Sequence, residues 1–131
     1  MDIIKAERAL TVFWAGILNK TVDTDIFRGG IPSGKTGIGV MIGDEITPNN
    51  PSMRQFSCQV IGKVADRDTA LALLEKAKAA LPCYDVESGA TNAKVKFRAM
   101  LKQGGSGAYS GPDSGAVAEF FSVNFVISLD C

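Results

Sequence analysis

The sequence predicts an α+β fold: a single domain, 1–131, in which a mostly antiparallel four-stranded sheet carries two helices on one face. Three observations lead to this prediction. Two segments repeat apolar residues at helical spacing, and four alternate apolar with polar residues. Their order is helix, strand, strand, helix, strand, strand, which favours antiparallel pairing. A chain of 131 residues is long enough for one hydrophobic core and too short for a second domain.

The first half of the chain is predicted to hold a helix and two strands. Helical spacing from Asp2 to about Leu18 places Ile3, Ala6, Leu10, Phe13, Trp14 and Ile17 on one side. The segment 19–36 contains Gly29, Gly30, Pro32 and Gly34 and is typical of a connector. Alternation then predicts a first strand at Gly37 to Gly43 and a second at Arg54 to Val64.

The second half is predicted to hold the other helix and two more strands. Asp66 or Asp68 can cap a helix that ends before Pro82. Alternation continues in a strand at 94–102 and in a final strand at 117–129. Between these strands the segment 103–115 is dominated by glycine and serine, so it is predicted to be a mobile loop unless a partner holds it.

Two sets of residues are candidates for a protein interface. The first is in the predicted loop, where Tyr109 is the one aromatic residue and Gly107 and Pro112 flank it, so Tyr109 is a candidate anchor for a partner. The second is the basic face of the preceding strand, formed by Lys94, Lys96 and Arg98, together with Lys102. This face either meets phosphate or an acidic protein surface, or is simply solvated.

Composition excludes several classes of protein. The 14 basic and 14 acidic residues balance, whereas dedicated nucleic-acid binders usually carry a basic excess. No apolar segment has the roughly 20 residues that a membrane span needs, and the first residues do not resemble a secretory signal, so the protein is expected to stay in the cytoplasm. The three cysteines, Cys58, Cys83 and Cys131, form no close pair and predict neither a disulfide framework nor a zinc site.

The segment Gly29 to Thr36 matches the phosphate-binding loop pattern G-x-x-x-x-G-K-[ST]. That loop works because a helix begins at its Lys-Ser/Thr pair and directs free N–H groups at the phosphates. Here Thr36 is followed by a glycine-rich, β-branched segment that opposes a helix. A Gly-rich turn is therefore the preferred interpretation, and a small nucleotide-binding domain remains the alternative.

Catalytic chemistry has little support in the sequence. There is no histidine, which removes the commonest general base and metal ligand. Paired carboxylates occur at Asp23/Asp25, Asp44/Glu45 and Asp66/Asp68, each in a predicted loop or helix start. Capping and solvation explain such positions, so we expect no enzymatic activity, no cofactor and no metal.

The layout resembles the tail terminator, or tail-completion, proteins of long-tailed bacteriophages, which are also called minor capsid proteins. The resemblance covers nearly the whole chain. A first helix is followed by a Gly/Pro connector, here Gly29-Gly30-Ile31-Pro32, that leads into a strand at 37–42. A second strand at 56–64 runs directly into the Ala/Leu-rich helix that starts near Asp68, and the last strand, 120–127, is similar to the usual ending of the family.

This resemblance implies a structural protein of the virion, at the tail end or neck, assembled in the host cytoplasm. It implies a ring, typically a homohexamer, that caps the tail tube and joins it to the head-side connector or stopper protein. DNA would pass through the lumen without being read. The resemblance leaves the tail type, the surface that faces the lumen and the identity of the partners open. A cytoplasmic adaptor without a phage role is a further alternative.

Overall fold

The computed structural model describes residues 2–47, 50–113 and 116–130, which form two helices and seven strands. The elements are, in chain order, α1 (Ile3–Leu18), β1 (Ile26–Arg28), β2 (Gly37–Ile46), β3 (Met53–Val64), α2 (Arg67–Ala79), β4 (Cys83–Ser88), β5 (Val95–Lys102), β6 (Gly107–Asp113) and β7 (Ala116–Asp130). The two predicted helices and the strands predicted near 37–43, 54–64, 94–102 and 117–129 all have counterparts in this order.

Each helix begins at an aspartate. The Asp2 carboxylate accepts hydrogen bonds from the N–H groups of Ile4 and Lys5 and caps the start of α1. Asn19, the residue after the helix, adopts the left-handed conformation (φ 56°). Of the two predicted caps for α2, Asp66 is the one used, because its carboxylate accepts from the N–H of Thr69. These side chains satisfy N–H groups that the first helical turn leaves without a partner.

The strands form one curled, mixed sheet in the order β1-β2-β3-β7-β5-β4, with β6 paired to β7 outside this path. Only β1 and β2 pair in parallel; the other named pairs are antiparallel. β3 follows one edge of β7 from Glu119 to Asp130. Along the other edge, β5 pairs with residues 125–128 and β6 with residues 116–122. β7 is therefore the strand that connects the whole sheet.

One hydrophobic core joins both helices to the sheet. Trp14 of α1 is fully buried, and its ring centroid lies 5.3 Å from that of Phe125 in β7. Alternate residues of β7 complete the centre of the core: Phe121, Val123, Phe125, Ile127 and Leu129. α2 contacts β7, β3 and β6, whereas α1 contacts β1, β2, β4 and β5. The alternation that predicted an apolar face for the last strand is confirmed.

The predicted four-stranded, mostly antiparallel sheet with two helices on one face is wrong. The described residues hold seven strands, and the sheet is curled and mixed. The sequence missed β1 because it has three residues and lies inside the predicted connector 19–36. It missed β4 because this strand, at the edge of the sheet, is short and half of its residues are exposed. Strands this short contribute few residues to the core, here Ile26 and Phe27 of β1, and too few alternating positions to form a recognisable period.

The predicted mobile loop at 103–115 is also wrong over its described part. Gly107–Asp113 form β6, which pairs with β7 from Gly107↔Ser122 to Asp113↔Ala116. The start of the segment is bound as well, since the Asn124 side chain donates to the carbonyl oxygen of Gly104 at 3.0 Å and the Ser106 hydroxyl accepts from the Asn124 N–H at 3.0 Å. Residues 114 and 115 lie outside the described part of the chain.

Candidate protein–protein interface

The β6–β7 hairpin extends past the neighbouring strand of the sheet. Pairing between β3 and β7 begins at Glu119, opposite Val64, whereas β6 pairs with β7 from Ala116 onward. Three residues of β7 therefore lie beyond β3 and have β6 as their partner strand. At the usual rise of a β-strand, this amounts to about 10 Å. The end of the hairpin is a projecting arm of the domain.

The hairpin exposes apolar side chains. Val117 is 76% exposed, the highest value among the large exposed hydrophobic residues of the described chain, and Tyr109 is 54% exposed. Ser110, Gly111, Pro112, Ala116 and Val117 line a shallow depression of about 620 Å³. Pro112, Ala116 and Val117 thus form a continuous apolar surface at this end of the hairpin, the kind of feature that marks interaction sites.

Contacts within the hairpin hold this surface in place. The Tyr109 ring stacks on that of Phe120, the residue opposite it in β7, with 5.2 Å between the ring centroids. The Ser110 hydroxyl donates to the Glu119 carboxylate at 2.7 Å, and a guanidinium nitrogen of Arg67 lies 4.0 Å from the same carboxylate. Because Arg67 is the first residue of α2, these contacts connect the hairpin to the helix.

The first set of candidate interface residues thus lies on one strand. Gly107, Tyr109 and Pro112 all belong to β6, where Tyr109 and Pro112 are exposed and Gly107 is half-buried. The inference that Tyr109 has no local residue to pack against is wrong, because it stacks on Phe120. Its role as an anchor for a partner stays a prediction.

The second set lies around β5, and one of its basic residues is paired with acidic side chains. Arg98 is held by two carboxylates: its Nε donates to Asp130 at 3.0 Å and a terminal nitrogen donates to Asp85 at 3.2 Å. The Asp130 hydrogen bond, followed by that of Asp85, raises the pKa of Arg98. Lys94, which precedes β5, and Lys96 are exposed. The lysines, and not Arg98, are therefore the groups left to meet a partner.

A third surface was not predicted from the sequence. A groove of about 470 Å³ runs between α1 and the turn that joins β4 to β5, lined by Lys5, Arg8, Ala9, Val12, Ala90 and Ala93 among others. A second depression, about 330 Å³, shares Lys5 and contains Lys94 and Lys96. Of these cations, Lys94 and Lys96 were candidates from the sequence, whereas Lys5 and Arg8 on α1 were not.

The phosphate-loop match has a different structural context from the motif. Gly29 to Thr36 joins the parallel strands β1 and β2, and β2 begins at Gly37, where the motif requires a helix. Gly29 has φ 83° and donates its N–H to the carbonyl oxygen of Val40 at 2.7 Å. A Cβ on Gly39 would lie 2.6 Å from the carbonyl oxygen of Gly29. Backbone packing between strands therefore accounts for glycines in this region.

One carboxylate of each pair that was weighed for catalysis makes a local structural contact. Arg54 forms two hydrogen bonds with Glu45, 2.9 and 2.8 Å long, which lower the pKa of that carboxyl. The Asp25 carboxylate accepts from the Thr21 N–H at 3.3 Å. Asp66 caps α2, and the Thr69 N–H is the main reason that its pKa is lowered. No group of three or more potential metal ligands occurs among the described residues.

The cysteines that the structure describes are not paired with each other. Burial raises the pKa of the Cys58 thiol to about 12, and burial also raises that of the half-buried Cys83. A thiol with a raised pKa is a poor nucleophile near neutral pH. Cys131 lies outside the described residues. In the described part of the chain, neither helix is long and apolar enough to span a bilayer.

Neither a protein-family model nor a curated protein sequence matches this chain.

Proposed function

We propose that the chain is a tail terminator, a structural protein of a long-tailed phage virion that assembles as a ring, typically a homohexamer. The ring caps the tail tube and joins it to the head-side connector or stopper protein, and DNA passes through its lumen without being read. The observation that carries the proposal is the projecting β6–β7 hairpin with its exposed Val117. An arm of this kind is typical of subunits that embrace a neighbour.

Two further features support an assembly role. Glu45 is paired with Arg54, Asp66 caps α2 and Cys58 is buried, and the proposal assigns no catalytic residue. The layout of the sequence resembles tail terminators over nearly its whole length. The proposed location follows from this role: the tail end or neck of the virion, with assembly in the host cytoplasm.

The proposal is tested by locating the protein on tail tubes. The chain, carrying an affinity tag, is co-expressed with the tail tube protein of the same particle, and the tubes are labelled with gold against the tag and viewed in negative stain. We expect gold at one end of each tube, and tubes of more uniform length than without the chain. Gold along the whole tube, or unlabelled tubes, would contradict the proposed function.

A further inference from the structure

We propose that copies of this chain associate head to tail, with the hairpin tip of one copy seated in the α1 groove of the next. The hairpin tip is formed by Pro112, Ala116 and Val117, and the α1 groove by Lys5, Arg8 and Val12 with the β4–β5 turn at Ala90 and Ala93. This inference rests on the proposed ring and names the two surfaces that build it.

The two surfaces lie at opposite ends of the domain. The hairpin tip is at the start of β7, whereas Leu129 and Asp130, at the end of β7, line the depression that shares Lys5 with the α1 groove. Measured along the strand, the 15 residues of β7 span about 45 Å. A hairpin tip therefore cannot occupy the α1 groove of its own chain, but it is suitably placed to reach that of a neighbour.

Both surfaces expose apolar side chains that association would bury. The hairpin tip offers Val117, which is 76% exposed. The α1 groove offers Val12, which is 39% exposed, beside three alanines. Its volume, about 470 Å³, is enough to hold the few small side chains of the hairpin tip. Burying this apolar surface supplies a driving force for association.

The charges of the two surfaces are complementary. The hairpin segment 103–122 contains no lysine or arginine, and its charged residues are Asp113 and Glu119, of which Glu119 is engaged by Ser110 and Arg67. The α1 groove and its neighbouring depression are bordered by four cations, Lys5, Arg8, Lys94 and Lys96, none of which makes an ion pair within the described residues. The nearby carboxylates are engaged, Asp2 as the α1 cap and Asp130 with Arg98. An acidic, apolar hairpin therefore suits this groove.

The geometry explains how a ring arises from one kind of contact. Two different surfaces meet in each contact, so every copy has one hairpin tip and one groove to offer, and the contact can repeat around a closed ring. A contact between two hairpin tips, by contrast, would be satisfied in a dimer and would not extend.

The test uses one variant for each surface, analysed by size-exclusion chromatography with light scattering. Val117→Asp places a charge on the hairpin tip, and Lys5→Glu with Arg8→Glu reverses the charge of the groove. Each variant alone is expected to be a monomer of 13.8 kDa. Mixed in equal amounts, they are expected to form a dimer of twice that mass, because the intact groove of the Val117→Asp chain accepts the intact hairpin tip of the charge-reversed chain. The two surfaces left at the ends of this dimer are both disrupted, so no third copy can bind.

Matched controls separate this effect from misfolding and from charge alone. Tyr84→Asp changes an apolar residue of similar exposure, 62%, on β4, and Lys35→Glu with Lys76→Glu reverses two exposed lysines elsewhere. Both controls are expected to assemble like the wild type. Melting by circular dichroism confirms folding, and if Val117→Asp does not fold, Val117→Ser replaces it with the same expectation.

Three results would overturn the inference: assembly by either interface variant, failure of the mixture to form the 1:1 dimer, or a wild-type chain that is monomeric under the same conditions. These results are independent of gold labelling on tail tubes. Tubes labelled at one end by a protein whose interface variants still form rings would retain the proposed function and reject the hairpin–groove contact. Unlabelled tubes, together with a 1:1 dimer in the mixture of variants, would reject the proposed function and retain the hairpin–groove contact.

Discussion

The two halves of β7 contrast sharply although they belong to one continuous strand. The second half, paired with β3 and β5, carries Phe125 and Ile127, both fully buried. The first half, paired with β6, carries Val117, the most exposed large hydrophobic residue in the described chain, and projects past β3. The same strand therefore forms the centre of the core at one end and a free arm at the other.

The difference shows which interactions order each half. In the second half, apolar burial accompanies the backbone pairing, because β7 packs there against Trp14 of α1. In the first half, backbone hydrogen bonds to β6, the Tyr109–Phe120 stack and the Ser110–Glu119 hydrogen bond hold a hairpin that buries little at its tip. We therefore expect substitutions in the second half to affect folding, and those at the hairpin tip to affect assembly.

The largest effect is expected from Phe125→Ala. The side chain is fully buried and its ring lies 5.3 Å from that of Trp14, so truncation leaves a cavity. The free energy of unfolding should fall by about 3–5 kcal/mol in chemical denaturation. Val126→Ala, a change at the half-buried neighbouring residue, is the control and should cost clearly less. A loss below about 1 kcal/mol for Phe125→Ala would contradict the core assignment.

A second effect is expected where the two halves of β7 meet. Gly62 of β3 lies opposite Phe121, and a Cβ at residue 62 would come within 1.9 Å of the Phe121 ring. Gly62→Ala should therefore lower the free energy of unfolding by about 1–3 kcal/mol through overpacking. Adding Phe121→Leu should recover part of this loss in a double-mutant cycle. Independent, additive effects would show that the two residues do not touch.

A smaller effect is expected from Tyr109→Ala in the hairpin. Loss of the stack on Phe120 should cost about 0.5–1.5 kcal/mol of hairpin stability, and amide hydrogen exchange along β6 should become faster. Tyr109→Phe keeps the ring and should exchange like the wild type. Rapid exchange of the β6 amides in the wild-type chain would contradict this prediction and support the mobile loop expected from the sequence.

The smallest effect concerns α2, which packs against β7 and β6. The Thr69 N–H and hydroxyl lower the pKa of Asp66 in the folded chain. The stability from this cap is therefore present above the carboxyl's ordinary pKa of 3.8 and is lost as pH falls through the lower, folded-state value. Asp66→Asn keeps a capping oxygen that does not titrate, so its melting temperature should fall less steeply below about pH 4. If the melting temperatures of the wild type and of Asp66→Asn changed with pH in the same way, this prediction would be contradicted.

Periodicity predicted the parts of the fold that burial determines. Both helices and the core residues of β7 follow from spacing, because one side of each element must leave water. The sequence failed for the short or polar strands: β1 has three residues, β4 is a six-residue strand at the edge of the sheet, and β6 is paired with β7 despite its glycines. The fold class was wrong for this reason, since those three strands turn the predicted four-stranded sheet into a curled, mixed sheet.

The candidate interface was predictable only in part. Tyr109 and Pro112 were interface candidates from the sequence, and both lie at the surface. No local pattern indicated that Phe120 stacks on Tyr109 or that Asp85 and Asp130 bind Arg98. Such contacts join residues that are distant in sequence, so they depend on the sheet topology. The α1 groove was missed for the same reason, because Lys5 and Arg8 meet the β4–β5 turn only in the folded chain.

The most direct test of the account is the mass of the purified wild-type chain as a function of concentration, measured by sedimentation velocity and checked by negative-stain microscopy. A ring predicts one closed species of fixed mass, near 83 kDa for six copies of the 13.8 kDa chain, in equilibrium with monomer. Class averages should show a central lumen. A chain that stays monomeric up to about 100 µM, or that grows into open filaments of increasing mass, would contradict the account.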